Sequence, residues 1–233
     1  MSISPHEPAT GTSLLRAVAI MDQLRSPGGC PWDAEQTHDS LLRYLVEECY
    51  ELVQAIEDGD DEAIREELGD VLLQVLFHAR VAAERSPDDG GFTIDEVAEG
   101  LVAKLIRRHP HVFPTDGQTA EVLTGSADQQ RRWDELKKQE KGSAASVLDG
   151  VAMAAPALAL AGKLGARSGK FGVETQLPAG DGPAEQIFRL AYEAGRQGID
   201  LEGAVRALAR EHAARLAAAE ALPGDGAFGT VSG

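Results

Sequence analysis

The sequence predicts an all-α fold. Ala, Leu, Glu and Arg are plentiful, and aromatic residues make up 5% of the chain. Few stretches alternate polar and apolar residues with a period of two, the signature of a half-buried strand. Apolar residues recur instead at helical spacing between capping residues and Gly or Pro breaks. At 233 residues the chain can bury a sizeable core in one domain, or in one and a half.

Residues 1–11 carry Pro, Gly, Ser and Thr without periodicity and read as a flexible tail. Thr12 or Ser13 caps a first helix to about Arg25, and Ser26-Pro27-Gly28-Gly29 ends it. Cys30-Pro31-Trp32-Asp33 reads as a loop with an exposed Trp. Thr37 or Asp39 caps a second helix to about Asp58. A third helix runs from about Asp60 to Arg85 through Val71, Leu72, Val75, Leu76 and Val81, and residues 87–91 break it. Thr93, with Glu96 three residues on, forms a capping box for a fourth helix. That helix closes with Lys104, Arg107 and Arg108 before His109-Pro110-His111. Lys104 and Arg108 are four apart and share a face; cations there also serve as partners of the helix dipole. Ser126 or Asp128 opens a further helix over 129–141, with Trp133 and Lys137 four apart.

The most informative stretch is Glu47-Glu48-x-x-Glu51, answered by Glu67-x-x-Asp70. On helices, Glu48 and Glu51 share a face, as do Glu67 and Asp70. Glu48 lies 11 residues before Gly59 and Asp70 lies 11 after it; Glu51 lies 8 before and Glu67 lies 8 after. A helical hairpin turning near Gly59 puts both acidic pairs at one height. Converging carboxylates repel each other and raise each other's pKa unless a cation sits among them. Oxygen ligation of this kind suits Mg2+, with Mn2+ as a substitute. Acid pairs at helical spacing are commonly only a solvated face. Here Glu48 shares a stripe with Leu41, Leu45 and Leu52, Glu67 with Ile64 and Val71, and Asp70 with Leu73 and Phe77. An uncompensated charge beside such a seam is costly.

The net charge of -16 argues against a nucleic-acid polymer or an anionic membrane as partner. An acidic protein that handles a polyanionic substrate must then supply metal and a local cluster of Lys and Arg. Two cysteines, Cys30 and Cys49, no secretory signal and no apolar run of membrane-spanning length lead to the expectation of a cytoplasmic protein with reduced thiols. Cys30 with His109 and His111 lacks the CxxC or HxxxH spacing of a zinc site.

Residues 142–150 read as a linker to a second helical half, residues 151–221, followed by a tail over 222–233. An Ala-rich helix is expected over 152–167 despite Pro156. Gly165-Ala166-Arg167-Ser168-Gly169-Lys170 fails as a phosphate loop: its first Gly is one position off, and Phe171 stands where Ser or Thr must reach the metal. It reads as a helix end and turn. Residues 187–215 then echo the plan of residues 72–108, shortened, with nothing before Ile187 to repeat the acidic helix. The second half reads as a degenerate copy without a metal motif, with a structural role in packing or dimer formation.

Taken together and in order, the motifs resemble the MazG family of all-α nucleoside triphosphate pyrophosphohydrolases. They are Cys30-Pro31-Trp32-Asp33-Ala34-Glu35-Gln36-Thr37, Glu47-Glu48-x-x-Glu51, Glu67-x-x-Asp70, Arg107-Arg108-His109-Pro110-His111-Val112-Phe113 and Arg132-Trp133-Asp134-Glu135-Leu136-Lys137. The resemblance covers residues 14–170 well and the rest weakly. It implies a four-helix-bundle-like core assembled as a homodimer, with the site near the subunit interface. It implies Mg2+-dependent cleavage of nucleoside triphosphates between the α and β phosphates, giving monophosphate and pyrophosphate, as nucleotide-pool housecleaning. By match to the family motif, Glu48, Glu51, Glu67 and Asp70 are the implied metal ligands. Lys104, Arg108 and Lys137 match positions that meet the phosphates, and Trp133 matches one at the nucleotide. The resemblance also implies basic residues, in an active second domain of the family, at the positions where Tyr44 and Ala63 stand here.

Glu47, about 100° round the helix from Glu48 and four residues from Glu51, is expected to support the ligand carboxylates from behind or to act as general base. Trp32 either stacks on the base or plugs the core. Two other functions fit the same residues: a narrow-specificity dNTP pyrophosphatase, or a non-catalytic helical protein that binds metal or nucleotide.

Overall fold

The computed structural model describes residues 11–114, 125, 128, 132 and 146–220. Trp133 and Lys137, on the helix expected over 129–141, lie outside the described residues, as do both expected tails apart from Gly11. The described residues form α-helices, turns and a short 3-10 segment, with no strand among them. Contacts divide the chain into two compact units, Met1–Trp133 and Asp134–Gly233.

The first unit contains α1 (Thr12–Arg25), α2 (Pro31–Glu35), α3 (His38–Asp58), α4 (Asp61–Ala82) and α5 (Ile94–Arg108). The helix α2 replaces the loop expected at Cys30–Asp33. Pro31 stands at its first position, where a fixed φ suits the helix and a missing N–H costs nothing. Of the two candidate caps for α3, Thr37 is used. Its Oγ1 accepts from Ser40 N at 3.2 Å, and Ser40 Oγ accepts from Thr37 N at 2.9 Å. The helix ends at Gly59, whose φ of 69° is left-handed and favours glycine. Asp60 then caps α4, accepting from Glu62 N at 3.0 Å and Ala63 N at 3.1 Å. These adjacent stop and start signals reverse the chain and pack α3 against α4 as a hairpin. Helix α4 ends at Ala82, short of the expected Arg85, because its last turn tightens: Glu84 N reaches Val81 O and Arg85 N reaches Ala82 O, each three residues back. Thr93 and Glu96 form the expected capping box of α5.

The buried centre of this unit is Met21, Leu41, Leu76 and Phe77, flanked by Ala17, Val18, Tyr44, Val81 and Ile94. Arg25 ties its edge together. The guanidinium is buried and forks onto Glu84, with Nε donating to Oε1 at 2.8 Å and Nη2 to Oε2 at 2.9 Å. Nη1 donates to Gln36 O at 3.1 Å and to Asp33 O. One side chain thereby joins α1, the α2 segment and the end of α4. The fork holds the Glu84 carboxyl below the usual carboxylate range.

The second unit contains α6 (Ala157–Phe171), α7 (Pro183–Arg196) and α8 (Leu201–Glu220). The helix expected from Ala152 begins five residues later, with Pro156 at the N-cap, where it interrupts no helical hydrogen bond. Residues 165–170 form the C-terminal end of α6, near the helix end expected there; the turn itself follows at Gly172, with φ 63°. Helices α6 and α7 meet backbone to backbone. A Cβ on Gly165 would stand 1.9 Å from Tyr192 O, and one on Gly195 would stand 1.9 Å from Gly162 O. Gly169, on the same helix as Gly165, has nothing within 4 Å of its Cβ position.

The same substitution on α6 therefore has opposite signs at two places. Gly165→Ala lowers stability by about 1–3 kcal/mol through forced separation of the helices. Gly169→Ala raises it by about 0.5–1 kcal/mol through helix propensity. Calorimetric unfolding of the full chain checks both.

Candidate metal centre

The Gly59–Asp60 reversal fixes which residues of α3 and α4 stand opposite each other. Carboxylate oxygens of Glu48, Glu67 and Asp70 come within 4.8 Å of one another. Oxygens on opposite sides of an octahedral Mg2+ stand about 4.2 Å apart, so a small inward movement of these side chains closes a shell. All three are half-buried, which agrees with their place beside the apolar stripe. Glu51 is exposed and is not part of the tight trio. It still lies close enough to Glu48 to help push that carboxyl's pKa up.

The electrostatics follow from this crowding. Burial, then the contact with Glu51, then the charges of Asp70, Glu51 and Glu67 push Glu48 above its ordinary 4.5. Burial, then Glu51, Asp70 and Glu66 push Glu67 the same way. Among the described residues, every charge that shifts these two groups is negative. Hard oxygen donors, crowded and held against their own ionisation, fit a hard divalent cation.

The other expected site residues are less close. Glu47 is exposed and outside the trio. Lys104 is exposed on α5 and Arg108 is half-buried at its last residue; neither contributes to the shifts of Glu48 or Glu67. Trp32 shows features of both expected roles. It lies edge-on to Tyr44 at 5.9 Å and to Phe77 at 6.3 Å, against the core, while 50% of it remains exposed.

One polar pair escaped the sequence reading. His38 Nδ1 and His78 Nδ1 lie 2.8 Å apart, with ring planes at 5° and centroids at 5.1 Å. That centroid distance is about the nitrogen separation plus the two ring-centre-to-nitrogen lengths, so the rings meet head-on in one plane. One nitrogen must donate and the other accept. Burial, then His38, lowers the His78 pKa. The signal was present: His38 and His78 stand 21 residues before and 19 after Gly59.

The MazG nucleotide pyrophosphohydrolase domain model matches residues 36–113. The nucleoside triphosphate pyrophosphohydrolase of Escherichia coli K12 is 38% identical over 192 residues, covering 79% of this chain and 69% of the relative. The chain belongs to the MazG family. An uncharacterised 26.1 kDa protein of Streptomyces cacaoi is 45% identical over 211 residues, covering 90% of this chain and 84% of that one. The nucleoside triphosphate pyrophosphohydrolase/pyrophosphatase MazG of Thermotoga maritima is 46% identical over 165 residues, and this chain spans 59% of its length. The matched MazG segment holds all the acids of the candidate centre, with Lys104 and Arg108; Trp32, Trp133 and Lys137 fall outside it. No helix among the described residues is long and apolar enough to cross a membrane.

The raised carboxyl pKa values set a sign. The contribution of Glu48 and Glu67 to stability is fully present below 4.5, the ordinary value. It is lost as pH rises through their folded values, because the unfolded chain gives up these protons first. Glu48→Gln therefore raises the melting temperature of the metal-free protein at neutral pH but not in acid. Mg2+ raises the wild-type melting temperature at neutral pH and leaves Glu48→Gln nearly unmoved. Calorimetry of both proteins at the two pH values, with and without Mg2+, checks this.

Proposed function

We propose that the chain hydrolyses nucleoside triphosphates, NTP or dNTP, between the α and β phosphates, yielding nucleoside monophosphate and pyrophosphate. The convergence of Glu48, Glu67 and Asp70 carries this reading. In it Glu48, Glu51, Glu67 and Asp70 hold Mg2+, which Mn2+ can replace. The ion, when bound, neutralises phosphate charge and makes a water acidic enough to attack phosphorus. The four carboxylates fix where that happens, so catalysis is mostly positioning and charge compensation. Glu47 orients the attacking water or takes its proton. Lys104, Arg108 and Lys137 meet the phosphates, and Trp32 and Trp133 flank the nucleoside.

The working form is a homodimer in this reading. Leu42 and Val46 of α3, Leu68 and Leu72 of α4 and Leu101 and Val102 of α5 are exposed large apolar residues. A monomer rarely leaves that much apolar surface to water, and a second copy would cover it and bring further cations to the acids. The protein works in the cytoplasm on the nucleotide pool. The segment 151–221 is a degenerate second half with a packing role; the carboxylate trio lies in the first unit, and no comparable group occurs among the described residues of the second.

Incubation with each NTP and dNTP in Mg2+, followed by product separation, tests the reaction. Monophosphate and pyrophosphate are expected, and Asp70→Asn or Glu51→Gln lowers kcat by about a hundredfold or more with helicity retained. Diphosphate and orthophosphate as products reject the reading. Turnover of one pyrimidine dNTP alone marks a narrow enzyme, and nucleotide binding without turnover marks a non-catalytic protein.

A further inference from the structure

Arg43 lies on α3 with Asp39 four residues before it and Glu47 four residues after it, the spacing at which helical ion pairs form. It pairs with neither. Its guanidinium lies 4.4 Å from the centroid of the Tyr44 ring, and Nη2 donates to the Tyr44 hydroxyl. Consecutive side chains on a helix diverge by about 100° and do not ordinarily meet. Arg43 therefore bends off its own face onto that of Tyr44, passing over two carboxylates. From elsewhere on the fold, Trp32 packs edge-on to the same tyrosine ring at 5.9 Å. The tyrosine is held by one aromatic side chain and itself holds a cation.

The position of this stack is the second observation. Tyr44 is one turn before Glu48 and shares its face, so the residue that carries the Arg43 guanidinium stands next along α3 to a member of the acidic centre. Among the described residues the charges that shift Glu48 and Glu67 are all negative, and Arg43 is not one of the groups acting on them. No carboxylate among the described residues forms an ion pair with it. A guanidinium held over an aromatic ring and donating from one nitrogen keeps its other N–H groups, which can meet phosphate oxygens.

We infer that Arg43, held on Tyr44, binds the phosphates of the nucleotide where they extend past the carboxylates toward the start of α3. The inference rests on the pyrophosphohydrolase reading and adds a substrate contact to it. Arg43 is the contacting residue. Tyr44 is a positioning residue: it stacks the guanidinium and takes one donor, so little side-chain freedom remains to be lost when phosphate arrives.

The test uses the full chain with two readouts: steady-state hydrolysis of ATP in Mg2+, and calorimetric affinity for α,β-methylene-ATP, which this reaction does not cleave. Arg43→Ala is expected to raise KM and weaken analogue binding about tenfold, the effect of one charged hydrogen-bonding group, with kcat changed far less. Arg43→Lys, which keeps the charge and loses the fork, falls between wild type and Arg43→Ala. Tyr44→Leu reproduces part of the loss in KM. The Mg2+-dependent rise in melting temperature stays as in wild type for Arg43→Ala, which separates phosphate binding from damage to the acidic centre. An Arg43→Ala protein with KM and analogue affinity within about twofold of wild type overturns the inference while the hydrolase reading stands. A wild-type chain that binds the analogue but releases no pyrophosphate overturns the hydrolase reading, and the analogue affinity of Arg43→Ala still decides this one. A wild-type chain that binds no analogue overturns both.

Discussion

Mutual repulsion among the carboxylates of Glu48, Glu67 and Asp70 is the constraint around which the first unit is arranged. Their oxygens are within 4.8 Å of one another, and burial and like charge raise the pKa of two of them. A fold does not gain stability from such a cluster. It has to be enforced, and the enforcement is local and specific. Gly59 stops α3 in a left-handed conformation, and Asp60 starts α4 with its own side chain. Two adjacent residues thus set the hairpin register that brings the acids to one height.

The rest of the unit holds that hairpin from the far end. Leu41, Leu76 and Phe77 close the apolar seam with Met21 of α1. Arg25 locks the α2 segment and the end of α4 through charge-assisted hydrogen bonds that water cannot easily replace. His38 and His78 clasp α3 to α4 on the same side of the acids. The centre therefore has a well-tied closed end, while α3, α4 and α5 keep large apolar side chains toward solvent. The carboxylate cluster lies on two helices, α3 and α4, and Lys104 and Arg108 on α5 are not part of it.

Much of this was legible in the sequence because it is written in local signals. Thr37, Gly59 and the Thr93–Glu96 box are helix punctuation with fixed geometry, and the all-helical content follows from them and from the apolar spacing. The mirrored acids were legible for the same reason: one glycine gave the axis. The short α2 was hidden, since a five-residue helix opened by proline after two glycines carries the same residues as a loop. The start of α6 was misplaced because an Ala-rich run masks the proline that caps it. Arg25 with Glu84 and His38 with His78 are 59 and 40 residues apart, and no local pattern announces such pairs. Arg43 on Tyr44 runs against the rule that neighbours on a helix point apart, so spacing alone would have assigned the arginine to Asp39 or Glu47.

The central claim is that these helices hold a divalent cation between their acids. Crystals grown with Mn2+ and measured at a wavelength where manganese scatters anomalously test it most directly. The account predicts an anomalous peak bounded by oxygens of Glu48, Glu67 and Asp70, with Glu51 swung in or bridged through water. No peak there at saturating Mn2+, or a peak held by other side chains while these three point away from it, would contradict the account.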